Sequence, residues 1–158
     1  MVWLRTLIFL ILVPGTVLFY IPIEIASSTE RLVPLGPLRF LGLGPLALGT
    51  AIVLWCARDF TVKGRGTPAP IDPPKELVVR GLYRYVRNPM YVGAVLILVG
   101  HFGWFLALEL LLYLALVLLA FHLFVVLYEE PALTRKFGDA YRDYQAAVPR
   151  WIPRPPKS

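Results

Sequence analysis

The sequence predicts an all-α integral membrane protein: a single domain over residues 1–158 with about four transmembrane helices and a C-terminal amphipathic helix. Three observations carry this expectation. Hydrophobic residues make up 58% of the chain and the mean hydropathy is +0.66, above what ordinary soluble domains show. The apolar residues fall into four runs that are long enough, or nearly so, to cross a bilayer. The charged residues gather into one long loop and the tail instead of spreading over every helix.

The first run, about residues 2–23, is broken only by Arg5, Pro14 and Gly15. It is longer than the apolar part of a secretory signal, and no small-x-small cleavage site follows it, so an anchored span is expected. A short polar link with Glu24, Glu30 and Arg31 leads to the second run, 37–56. Gly42, Gly44 and Gly49 imitate part of a nucleotide-binding fingerprint, but no strand precedes them and Pro45 follows; they read as small residues that let helices approach. Residues 58–88 form the longest polar segment, and Pro68, Pro70, Pro73 and Pro74 make its first half an extended surface loop. Two further runs, 89–103 and 105–128, are parted by Gly100-His101-Phe102-Gly103-Trp104, which reads as the turn of a tight helical hairpin with Trp104 at the far interface. In the tail, Leu133, Phe137, Tyr141, Tyr144 and Val148 recur at helical spacing opposite Arg135, Lys136, Asp139, Arg142 and Asp143. That pattern predicts an amphipathic helix over 131–148, ended by Pro149 and placed in the interface or against the loop.

Topology explains the net charge of +6. Basic residues concentrate in the loop (Arg58, Lys63, Arg65, Lys75, Arg80, Arg84, Arg87) and the tail (Arg135, Lys136, Arg142, Arg150, Arg154, Lys157), whereas the first link holds Arg31, with Arg39 near the second span. The positive-inside bias then makes the N-terminus, the loop and the C-terminus of this multi-pass protein cytoplasmic, which four spans satisfy. No basic face exists away from these flanks, so nucleic acid is not an expected partner. Cys56 stands alone in an apolar run, and His101 and His122 have no neighbouring Asp, so neither a disulfide framework nor a metal centre is expected.

Chemistry is expected where the loop meets the third run. Residues 81–93 crowd Tyr83, Tyr85 and Tyr91, Arg84 and Arg87, and an Asn88-Pro89 step into that border. Pro89 suits the first turn of a helix and Asn88 its N-cap, so free N–H groups and a positive dipole end would face the polar side, ready for a carboxylate. Tyr128-Glu129-Glu130-Pro131 closes the next apolar run at the same depth. Two adjacent glutamates there are costly unless they meet water, a cation or a donor. They are either a solvated helix end or, for Glu129, an acceptor for a ligand's hydroxyl or amino groups. Arg84 and Arg87 serve as positive-inside anchors or ligand contacts. The tyrosines are interface aromatics or faces that stack on a purine or a cation. His122, two turns before Glu129, is an interhelical hydrogen-bonding group or part of an acceptor channel.

The run Leu77-Val78-x-x-Gly81-x-Tyr83-x-x-x-Arg87-Asn88-Pro89-x-Tyr91-x-Gly93 is followed by Glu129-Glu130-x-x-Leu133-x-x-x-Phe137-Gly138-x-x-Tyr141-x-x-Tyr144-x-x-x-Val148-Pro149. Together they resemble the isoprenylcysteine carboxyl methyltransferase family and the related phospholipid methyltransferases, over about half of the chain. The resemblance implies a membrane methyltransferase that uses S-adenosyl-L-methionine without a Rossmann domain and releases S-adenosyl-L-homocysteine. It makes the loop a cytoplasmic cofactor-binding loop, with contacts from Lys75, Glu76, Leu77, Val78, Tyr83, Asn88, Pro89, Met90, Tyr91 and Glu129. Two positions depart from the family pattern. Asn88 stands where the eukaryotic enzymes have histidine. Val125 occupies the place, one turn before the glutamate pair, where the prenylcysteine enzymes carry an arginine for the substrate carboxylate. Arg87 or Arg150 would have to substitute for that arginine, and Arg87 is taken as the residue that orients the acceptor.

Methyl transfer from a sulfonium is an in-line displacement, so the protein's task is alignment in a dry site. An acceptor carboxylate is already ionised at neutral pH, whereas a lipid amine must first lose a proton, and no histidine lies at the border. O-methylation of a lipophilic carboxylate is therefore expected. The alternatives are N-methylation of a phosphatidylethanolamine-type lipid and a non-catalytic membrane protein that keeps the fold.

Overall fold

Pro14 cannot donate a hydrogen bond to the helix that contains it, and the chain answers by changing its helical register. In this computed structural model, which describes residues 2–29, 36–62 and 76–156, helix α1 (Val2–Leu12) passes into a π-helical turn at Thr16–Tyr20 and on into α2 (Ile21–Ser28). A π turn leaves carbonyls imperfectly matched. One of them, Val17 O, accepts a 2.8 Å hydrogen bond from Tyr113 Oη. The whole stretch from Leu4 to Ser28 is a 25-residue span, so Glu24 belongs to a helix and not to the link.

After a 3₁₀ segment at Gly36–Gly42 comes α3 (Leu43–Val62), then a 3₁₀ turn at Gly81–Arg84 and α4 (Pro89–Phe105). Helices α3 and α4 pack along a glycine seam in which Gly42 faces Gly100 and Gly49 faces Gly93. A Cβ on Gly49 would collide with Gly93 O and lie 2.7 Å from Ile97 N; one on Gly100 would lie 2.6 Å from Leu46 N. The expected role of Gly42 and Gly49 in close approach is thus met, while Gly44 faces open space.

This seam also moves the hairpin turn. Gly100 packs against α3 and Gly103 against Gly42 in the 3₁₀ segment before it, so α4 continues past Trp104 and stops at Leu106, whose φ of 46° is left-handed. Helix α5 (Glu109–Phe124) follows. The turn is at 106–108, not at 100–104. At the other end α5 enters a second π turn, Val125–Glu129, then α6 (Glu130–Phe137) and α7 (Asp139–Ala147). The amphipathic tail is therefore two helices, because Gly138 with φ 57° breaks the run. Residues 148–156 double back: Arg87 N donates to Pro149 O at 2.8 Å and Arg154 N to Tyr85 O at 2.9 Å.

No strand occurs among the described residues. Three helical stretches, Leu4–Ser28, Gly36–Val62 and Glu109–Phe137, are long and apolar enough to cross a membrane, and the apolar α4 is shorter at 17 residues. Leu7, Ile11, Leu54, Leu112, Leu119 and Leu127 point outward and are largely exposed, as lipid-facing side chains are. The inner core joins Leu18, Val53, Ala94, Ile97, Leu98 and Val117. The protein is an all-α integral membrane protein.

Candidate functional site

The start of α4 and the end of α5 meet in one cavity of about 580 Å³, inside the 300–1,000 Å³ range of ligand sites. Pro89 opens α4 as the sequence requires, and it is buried. The first turn of α4 thus presents N–H groups that have no intrahelical acceptor. Asn88 is the N-cap by position only: its side chain makes no cap bond and instead Nδ2 donates to Arg150 O at 3.2 Å. The π turn at Val125–Glu129 adds a residue to the helical repeat and brings Glu129 to the cavity wall.

Asn88 and Glu129, expected to face each other, do line the same cavity, and Leu77, Val78, Tyr83 and Met90 share its wall. So do Tyr91 and Arg87, and the phenol of Tyr91 lies beside the Glu129 carboxylate. Glu76 is exposed and outside the wall, and Pro89 shapes the helix start without lining the space. Lys75 lies outside the described residues. Arg84 is exposed and also outside the wall. His122 is exposed too; its ring lies 6.1 Å from Trp151, whose other neighbour is Tyr91 at 6.3 Å.

The cavity has a polar pole and an apolar arm. At the pole Tyr144 Oη donates to Tyr83 O at 2.7 Å, and burial pushes the phenols of both residues above their usual range, so they stay neutral. Arg87 is paired with Glu130 at 3.2 Å. Glu130 also takes Arg150 in a fork, with Nε 2.7 Å from Oε1 and Nη2 2.9 Å from Oε2. That hydrogen bond raises the Arg150 guanidinium further above its ordinary value. Glu130 is thus committed to arginines, while Glu129 faces the cavity.

The arm was not foreseen. It is walled by Phe9, Val13, Val17 and Leu18 of the first span, with Ala120 and Phe124 of α5 opposite. In a sequence, apolar residues facing a cavity look the same as those facing lipid; the Pro14-Gly15 interruption was the available signal. Tyr141 and Tyr144 of α7 complete the wall, although their helical spacing in the sequence marks only the apolar face of the tail. The groups present suit a zwitterionic, cationic ligand at the pole: a carboxylate, aromatic faces, a helix N-terminus and a guanidinium. No group of metal-binding side chains occurs among the described residues.

A phospholipid methyltransferase family profile matches residues 38–140, more than half of the chain. The protein-S-isoprenylcysteine O-methyltransferase of Schizosaccharomyces pombe is 38% identical over 84 residues, covering 49% of this chain and 33% of the relative. The chain thus spans about a third of the length of that curated relative. No solved structure gives a significant match.

Proposed function

The chain belongs to the phospholipid methyltransferase family, and from that premise we propose that it is an S-adenosylmethionine-dependent membrane methyltransferase that O-methylates the carboxylate of a lipophilic acceptor. One observation carries this most directly: a single cavity joins the polar pole at Asn88, Tyr91 and Glu129 to an arm lined by the first span. A donor and an apolar acceptor would meet end to end in such a space.

S-adenosylmethionine supplies a methyl group activated by a positively charged sulfur. The chain's own residues do the rest. The α4 N-terminus suits the cofactor's carboxylate, Glu129 its amino group or ribose hydroxyls, and Tyr83 and Tyr91 offer aromatic faces. Met90, Leu77 and Val78 keep water out of the junction. Arg87 orients the acceptor carboxylate; it lines the same cavity as Glu129, and its side chain is 9% exposed. A guanidinium at a largely dry wall suits a ligand carboxylate, which it can meet with charge-assisted hydrogen bonds. The Schizosaccharomyces pombe relative, named for an isoprenylcysteine substrate, supports an apolar thioether acid as the acceptor class. The loop and both termini are assigned to the cytoplasm by the basic residues that flank the spans.

Labelled S-adenosylmethionine, purified protein and a membrane lipid extract test this together. Base-labile methyl groups are the expected product. Stable N-methyl groups would transfer the assignment to lipid amines. Absence of saturable S-adenosylhomocysteine binding would leave only a non-catalytic role.

A further inference from the structure

Glu130 is the second acid of the glutamate pair, yet none of its contacts points to the cavity. Its side chain is 12% exposed and both of its oxygens are held by Arg150, while Oε1 also lies 3.2 Å from Arg87 Nη1. Arg150 is itself fixed by its backbone, since its carbonyl accepts from Asn88 Nδ2 and the preceding carbonyl, Pro149 O, accepts from Arg87 N. Tyr141 lies close enough to Arg87 to feel its positive charge. Two guanidinium groups and one carboxylate leave this cluster with one net positive charge, and Arg87 brings it to the cavity wall. The neighbouring carboxylate, Glu129, is engaged with Tyr91.

We propose that Arg150 and Glu130 are positioning residues for the acceptor: the fork between them fixes Glu130, and Glu130 holds one edge of Arg87 so that its guanidinium and the cluster's net charge select an anionic headgroup over a neutral one. Acceptor choice is thus set in part by residue 150, in a tail that follows the last helix and passes behind the site. The inference rests on the assignment of Arg87 to the acceptor, and it makes the tail part of the specificity apparatus. A side chain that only stabilised the tail would change the affinity for charged and neutral acceptors alike. Arg150 as described changes the ratio between them.

The test uses N-acetyl-S-farnesylcysteine and its carboxamide as probes, bound to protein in lipid nanodiscs that is saturated with S-adenosylhomocysteine. Wild-type protein is expected to hold the carboxylate about tenfold tighter than the carboxamide. In Arg150→Ala the ratio falls towards one, with the affinity for S-adenosylhomocysteine kept; Arg150→Lys, which cannot form a fork, falls in between. A wild-type ratio of about ten that survives in Arg150→Ala overturns the inference alone. A wild-type ratio near one overturns the assignment of Arg87 to a carboxylate acceptor and this inference with it.

Discussion

Replacing Glu129 by Gln removes one charge from the cavity wall and nearly preserves the side-chain volume. Glu129 closes the π turn at Val125–Glu129 and lies beside Tyr91, so the new amide keeps a neighbour and the fold loses little. A hydrogen bond to a charged group contributes about 1.5–3 kcal/mol. Glutamine retains a neutral acceptor oxygen, so the lower end applies, and about 1.5 kcal/mol corresponds to roughly tenfold in Kd. Calorimetric titration of S-adenosylhomocysteine into protein in nanodiscs should show that loss. Glu76→Gln is the matched control, because Glu76 is exposed and absent from the cavity wall; its Kd should stay within about twofold of wild type. A Glu129→Gln Kd within about twofold of wild type, or an equal loss in Glu76→Gln, would refute the placement of the donor at this pole.

Further consequences concern the arm, the seam and the phenols. Ala120→Phe projects a ring from an exposed position into the mouth of the arm; excluding about two methylenes of an acceptor chain costs about 1.6 kcal/mol, so turnover of long-chain acceptors drops by roughly tenfold while binding of S-adenosylhomocysteine is unchanged. Gly49→Val forces α3 and α4 apart at Gly93 and Ile97, an overpacking cost of about 1–3 kcal/mol or more, seen as a lowered Tm or aggregation in detergent. Tyr83 and Tyr144 hold their protons above the ordinary range because burial disfavours the phenolate. Their unfolded counterparts release protons near pH 10 while the folded ones do not, so both contribute stability that is complete below about pH 10 and declines as pH rises beyond it; a Tyr144→Phe variant should show a shallower alkaline decline in Tm.

The parts of the site legible in the sequence were those that break a pattern. Pro89 after Asn88 marks a helix start, Glu129 and Glu130 interrupt an apolar run, and both signals place themselves at one membrane depth. The Gly42/Gly49 spacing was legible too, but its partners were not. Gly100 and Gly103 looked like turn residues because a glycine used for helix contact and one used for a turn are the same letter; only the pairing with α3 and the 3₁₀ segment before it decides between them, and it moves the turn to 106–108. Gly138 was read within a helix although it breaks one, since the apolar spacing continues across it. The least legible features join residues far apart in the chain: the fork between Glu130 and Arg150, the amide of Asn88 on the tail, and the first span as a wall of the cavity. Sequence patterning records which residues are apolar or charged. It does not record which charge meets which.

Ultraviolet cross-linking of labelled S-adenosylmethionine to the protein in nanodiscs, with the modified peptides mapped by mass spectrometry, tests the central claim most directly. Saturable label on peptides spanning residues 77–91 and 124–144, competed by S-adenosylhomocysteine, is the expected result. Label confined to peptides from the opposite end of the bundle, around Ile25 to Thr29 and Glu109 to Leu116, would contradict it.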